Sequence, residues 1–91
     1  MASYKLVLKK SAAKELQNVA GKADRQRLVN RIAALAADPR PAGAERLSGT
    51  RDKYRIRQRN FRILYEIHDD ALVVYVVKVG DRKDVYRGVT G

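Results

Sequence analysis

Tyr4-Lys5-Leu6-Val7-Leu8 alternates apolar and polar residues over its first half, the period of a strand with one covered face, so the chain is read as opening on a strand. Ser11 offers a hydroxyl to an orphan backbone N–H, and Ala12, Ala13, Leu16, Val19 and Ala20 recur at helical spacing. This predicts a short helix capped by Ser11 and stopped near Gly21. From Asp24 onward, Leu28, Ile32, Leu35 and Ala36 form an apolar stripe, while Arg25, Arg27, Asn30 and Arg31 take the other sides. That second, amphipathic helix must end at Asp38-Pro39-Arg40-Pro41, because proline lacks a donor and forces its predecessor out of the helical region. The short link between the helices implies an antiparallel helical hairpin.

Ala42 to Asp52 reads as a loop, after which the period changes to two. Tyr54-Arg55-Ile56-Arg57 alternates, as does most of Phe61 to Ile67, with Arg59-Asn60 as the tight turn between them. Leu72 to Val79 is β-branched and evenly apolar, as expected of a strand covered on both faces; His68 to Ala71 supplies its hairpin connection and Gly80-Asp81 closes it. Arg82 to Gly91 is too brief to form a layer. The expected fold is α+β: an N-terminal strand, a helical hairpin and a three-stranded antiparallel meander, with the helices on one face of a four-stranded sheet. Residues 1–91 are read as one domain, without repeats or a linker.

Charge adds to this picture. The 91 residues carry 20 Lys+Arg against 10 Asp+Glu, a formal net charge of +10, which favours an anionic partner such as nucleic acid or an acidic protein. There is no cysteine, so disulfides, thiolate nucleophiles and cysteine-bearing metal sites are all excluded, and His68 is the single imidazole. The N-terminus lacks the apolar run of a signal peptide and no segment approaches a membrane span, so the expected location is cytoplasmic. Apolar residues are too regular for a disordered basic tail.

Strand side chains alternate between faces, so Arg55 and Arg57 share one face opposite Tyr54 and Ile56, and Arg62, Leu64 and Glu66 oppose Phe61, Ile63, Tyr65 and Ile67. If the apolar sets face the helices, Arg55, Arg57 and Arg62 emerge together, with Arg82 and Tyr86 just past the following strand. Such a patch suits RNA: guanidiniums grip phosphate oxygens bidentately and a phenol stacks on an unpaired base. An ordinary solvated strand face is the competing account. His68 reads as a solvated hairpin residue before it reads as an acid or base. Asp69-Asp70 reads as turn chemistry before it reads as a metal site, since no further ligands surround the pair in sequence. Tyr65 and Tyr75 read as packing residues.

Leu47-Ser48-Gly49, Tyr54-Arg55-Ile56-Arg57, Phe61-Arg62-Ile63-Leu64-Tyr65-Glu66 and Val79-Gly80-Asp81-Arg82-Lys83-Asp84-Val85-Tyr86, in that order, resemble the RelE branch of the RelE/ParE toxin superfamily. The resemblance covers nearly the whole chain, its C-terminal half being the specific part. It implies a metal-independent endoribonuclease without cofactors, which cuts messenger RNA in the ribosomal A site and is silenced by a RelB-like antitoxin. In that chemistry a ribose 2′-OH attacks its own 3′ phosphate. By position, Arg55 and Arg57 orient the phosphate and assist the nucleophile, Arg62 clamps the phosphate, Arg82 serves the leaving group and Tyr86 stacks or orients the 2′-OH. Lys53, Arg59 and Lys83 flank this set as further RNA contacts.

Two departures from the family pattern matter, one at positions 55 and 57 and one at position 81. The best-studied member has lysines where this chain has Arg55 and Arg57, and arginine is a poor proton acceptor at neutral pH. Asp81 stands where many relatives have histidine, and Lys78, Arg82 and Lys83 around it work against a raised pKa. The base is therefore unassigned, and positioning and charge stabilisation are expected to dominate, with the ribosome aligning the RNA. Two other readings stand beside this one: a ParE-like toxin that binds DNA gyrase without nuclease chemistry, and a DNA-binding module, for which no recognition helix is evident.

Overall fold

The computed structural model describes residues 3–81. Its elements run β1 (Lys5–Leu8), α1 (Lys10–Gln17), α2 (Lys22–Ala34), β2 (Glu45–Arg46), β3 (Lys53–Gln58), β4 (Phe61–His68) and β5 (Val73–Asp81). The α+β class and the meander follow the sequence reading, but the sheet has five strands rather than four, in the order β1-β5-β4-β3-β2. The addition is β2, in the segment read as a loop. Two residues are too few to show a period, and only their antiparallel pairing with β3 (Glu45↔Arg55, Arg46↔Tyr54) reveals the strand. β1 lies parallel to β5, as a crossover through two helices allows.

Both helices bury their apolar stripes on one face. Ala12, Val19, Leu28, Ile32 and Leu35 form one cluster with Ile56, Ile63, Tyr65, Ile67, Val74, Val76 and Val79. The helix boundaries differ from those expected. α1 begins at Lys10 with Lys9 at the cap position, because the Lys9 N–H is already taken by the Val76 carbonyl at 2.8 Å; Ser11 lies inside the first turn and caps nothing. α1 stops at Gln17, and Gly21, at φ 91, instead starts α2. α2 ends at Ala34 in i→i−3 bonds from Leu35, Ala36 and Ala37, a tightened turn that carries the chain to the prolines.

β5 also departs from expectation. It is not covered on both faces: Val74, Val76 and Val79 are buried, whereas Val73, Tyr75 and Val77 are partly exposed. A bulge explains the misleading run. Tyr65 pairs with Val76 and Leu64 with Lys78, so Val77 is the extra residue and the inward set shifts phase across it. Gly80 and Asp81 continue the strand rather than closing it, and Leu72, at φ 55, belongs to the preceding turn.

β1 ends where Leu8 meets Val76, and among the described residues no strand pairs with the β5 edge beyond that point. Glu15 covers it from α1: its Oε1 accepts from the Val79 N–H and its Oε2 from Lys78 Nζ, both at 3.1 Å. Glu15→Ala is expected to cost about 1–2 kcal/mol. In a domain of this size each kcal/mol is a fall of roughly 4–8 °C in Tm, readable by calorimetry.

At the other end of the sheet, Asp69 ties three segments together. It accepts from the Tyr4 hydroxyl at 2.6 Å and from Arg40 through both oxygens, at 3.2 and 2.7 Å, while Arg40 Nε donates to the Tyr54 hydroxyl at 3.1 Å. Tyr54 stacks on Tyr65, whose hydroxyl donates to the Pro39 carbonyl at 2.7 Å. Hydrogen bonds from Arg40 first, then Tyr4, hold the Asp69 carboxyl down at about 2 from its ordinary 3.8. A depressed folded pKa contributes stability that is full above the unfolded value and lost as pH falls through the folded one. Asp69→Asn is therefore expected to remove part of the fall in Tm seen on acidification from above 3.8 towards 2.

Candidate nucleic-acid interface

The register sorts the face opposite the two helices into rows. Nearest the β3–β4 turn, Arg57 on β3 stands opposite Arg62 on β4, with Gly80 of β5 beyond. One row further, Glu45, Arg55, Leu64 and Lys78 lie side by side across β2, β3, β4 and β5. The next row holds Lys53, Glu66 and Tyr75, and the last His68 and Val73. Alternation puts all of these opposite the core set. Leu64 is the exception in character, an apolar side chain 1 % exposed between the Arg55 and Lys78 positions, whose aliphatic stems can cover it.

Charge is distributed unevenly over these rows. Arg55 is half-buried and its Nη2 donates to Glu45 Oε2 at 2.7 Å. Lys78 is paired with Glu15. Arg62 donates to the carbonyls of Arg59 and Phe61 at 3.4 and 3.2 Å, which turns it towards the hairpin tip without neutralising it. Arg57 is exposed and meets no carboxylate among the described residues. Like charges directly opposite on a sheet repel. An anion placed between Arg57 and Arg62 converts that repulsion into attraction, and the pair can grip phosphate from two sides.

Of the residues singled out from sequence, Arg55, Arg57 and Arg62 come together on this face, with Arg59 exposed at the adjoining turn at φ 56. Lys53 does not join them. It stands opposite Glu66, about 13 Å along the strand from Arg57, and lines a cleft of about 720 Å³ with Arg40, Thr50, Arg51, Asp52 and His68. Arg82, Lys83 and Tyr86 lie outside the described residues.

His68 is the last residue of β4 rather than a turn residue, half-buried, with Nε2 2.9 Å from Glu66 Oε1. It is some 20 Å along β4 from Arg62, too far to act on the same phosphodiester. The carboxylates of Asp52 and Glu66 and the His68 ring nitrogen all lie within 4.8 Å of one another, a spacing that could admit a cation. Asp69 is instead committed to Arg40 and Tyr4. The residue that sequence reasoning passed over is Glu45, hidden because its strand was hidden.

The described residues thus form an α+β layer with a cationic, strand-borne patch on the face opposite the helices. A sequence model described as the ParE toxin of the type II toxin–antitoxin system matches residues 6–86. The chain is 33 % identical over 87 residues to a RelE-like toxin protein of Escherichia coli, covering 91 % of this chain and 90 % of that one. It is 32 % identical over 88 residues to the Escherichia coli mRNA interferase toxin RelE, covering 92 % and 90 %. Among solved structures, the isolated E. coli RelE toxin superposes with a TM-score of 0.76 at 30 % identity over 87 % of this chain and 84 % of that one. The archaeal RelE–RelB complex from Pyrococcus horikoshii gives 0.78 at 27 % over 88 % and 96 %. The chain belongs to the RelE/ParE family of toxins of type II toxin–antitoxin systems.

Arg57→Gln is expected to leave Tm unchanged or slightly higher, since it relieves repulsion with Arg62, while weakening binding to single-stranded RNA. In a salt titration of that binding, the slope of log K against log salt should shrink by about 0.7 for each phosphate that is no longer neutralised.

Proposed function

We propose that this toxin is an endoribonuclease that enters the ribosomal A site and cuts the messenger RNA there. The observation that carries the reading is the Arg57–Arg62 pair, two cations opposite one another on the sheet face away from the helices, with no carboxylate between them among the described residues. The relatives named mRNA interferase support it. The reaction needs no co-reactant: the 2′-oxygen attacks the adjacent phosphorus and the 5′-oxygen leaves, giving a cyclic phosphate and a free 5′-OH. Arg57 and Arg62 stabilise the charge that builds on the phosphoryl oxygens, where preorganised donors are most effective. Arg55 supports them from the next row, and Arg82 and Tyr86 serve the leaving group and the base stack.

The partners follow from the same reading: ribosome and message as targets, and in the cytoplasm an antitoxin as silencer. RelE toxins have been solved in complex with RelB antitoxins. No helix among the described residues is long and apolar enough to cross a membrane.

A second reading, inhibition of DNA gyrase by protein binding, is favoured by the ParE description of the family that matches. Primer extension on a message under translation separates the two. Cuts in A-site codons that vanish in Arg82→Ala are expected; an intact message together with blocked gyrase supercoiling would establish the second reading instead.

A further inference from the structure

We propose that Asp52, Glu66 and His68 bind a single divalent transition cation of the zinc class, at a site separate from the arginine patch and independent of any ribonuclease chemistry. The three ligand atoms, two carboxylate oxygens and one imidazole nitrogen, all lie within 4.8 Å of one another. Around a tetrahedral ion with bonds of about 2.0–2.2 Å such atoms stand roughly 3.4 Å apart, so small side-chain rotations close the set on a metal. One imidazole with two carboxylates suits zinc and its neighbours better than magnesium or calcium, which prefer oxygen alone.

The backbone explains why the three converge. Glu66 and His68 are two apart on β4, so alternation sends both to the same face, while Ile67 between them is buried in the core. β4 lies between β3 and β5 and is hydrogen-bonded on both sides, which sets those two ligands on rigid backbone. Asp52 comes from the segment before β3, and its carbonyl accepts from the Ile67 N–H at 2.9 Å, which ties it beside the other two.

Charge points to a cation as the occupant. The chain has 20 Lys+Arg and Lys53 stands opposite Glu66 in the register, yet among the described residues no lysine or arginine comes within ion-pair distance of the Asp52 or Glu66 carboxylate. Of the titratable groups His68 alone meets Glu66, with Nε2 2.9 Å from Oε1, and a metal ion takes the place of the proton shared there. Glu66 and His68 keep 22 % and 38 % of their side chains exposed, and Asp52 and His68 line the cleft of about 720 Å³. An ion can therefore enter, with its remaining coordination left to water or to an oxygen ligand in the cleft. Bound there, some 20 Å from Arg62, it clamps the β2–β3 connection to β4 and acts on stability rather than on phosphodiester cleavage.

The test is a calorimetric titration of the untagged full chain with Zn²⁺. His68 is the only histidine and there is no cysteine, so no other imidazole or thiolate can supply the site. One ion per chain is expected to bind, and at a free concentration about 100 times Kd to raise Tm by about 10 °C. The ring-proton NMR signals of the one imidazole should shift in step with binding. His68→Ala should abolish binding. Asp52→Asn and Glu66→Gln should each weaken it by about 10-fold or more, the least that even an outer partner of a ligand is worth. Asp70→Asn, on the same cleft, should leave it unchanged. No binding at millimolar Zn²⁺, unshifted imidazole signals, binding that persists in His68→Ala, or equal affinity for Mg²⁺ would each overturn the assignment. The wild-type Tm and imidazole readouts decide the matter even where a variant fails to fold.

Discussion

A sheet with α1 and α2 both on one side forces a choice on every strand residue. The apolar set of β3 and β4 must face Leu28, Ile32 and Leu35, and the period of two then sends the alternate set to the opposite face whatever its chemistry. This constraint gathers the arginines. Arg55, Arg57 and Arg62 need no attraction to one another; burial of Ile56, Ile63 and Tyr65 places them, and a slip of one residue would drive guanidiniums into the core. The register of one hairpin therefore fixes core and site together.

That register is held at both ends. At the tip, Arg59 takes a left-handed conformation that closes the two-residue turn, and its carbonyl receives Arg62, so the turn also sets a side chain of the patch. At the far end, Asp69 binds the β4–β5 turn to Tyr4 and to Arg40 in the connection that follows α2. The Arg40 guanidinium is driven further from neutrality by this carboxylate and by Tyr54. Burial pushes the Tyr65 hydroxyl up to about 12, so it stays a donor to Pro39 across the physiological range. The charged groups at this end are thus spent on one another, unlike those at the tip.

What the sequence showed was whatever rests on period. Alternation through Tyr54–Arg57 and Phe61–Ile67 was enough to place three arginines on one face before any coordinates, and the helical stripe of Leu28, Ile32 and Leu35 identified the covering layer. What it concealed has a common cause: features defined by a partner rather than by a repeat. β2 exists only through its pairing with β3, and with it went the Glu45–Arg55 ion pair. The bulge at Val77 broke the phase of β5 and made a one-sided strand look two-sided. Ser11 had the right chemistry for a cap, but Lys9 was already held by β5, so the helix began without it.

The rows of the face opposite the helices also bear on how a polyanion would lie there. Charge runs from the unrelieved Arg57–Arg62 pair, through a row in which Arg55 and Lys78 each have an acidic partner, to a far end where Glu66 and Asp52 cluster beside His68. A phosphate at the far end lies beside the Glu66 and Asp52 carboxylates, whereas one between Arg57 and Arg62 is flanked by two guanidiniums with no carboxylate partner among the described residues. The gradient thus favours the turn end of the sheet for an anion over the far end. On the proposed ribonuclease reading, a chain gripped by this pair would cross the strands near the turn rather than run along β4.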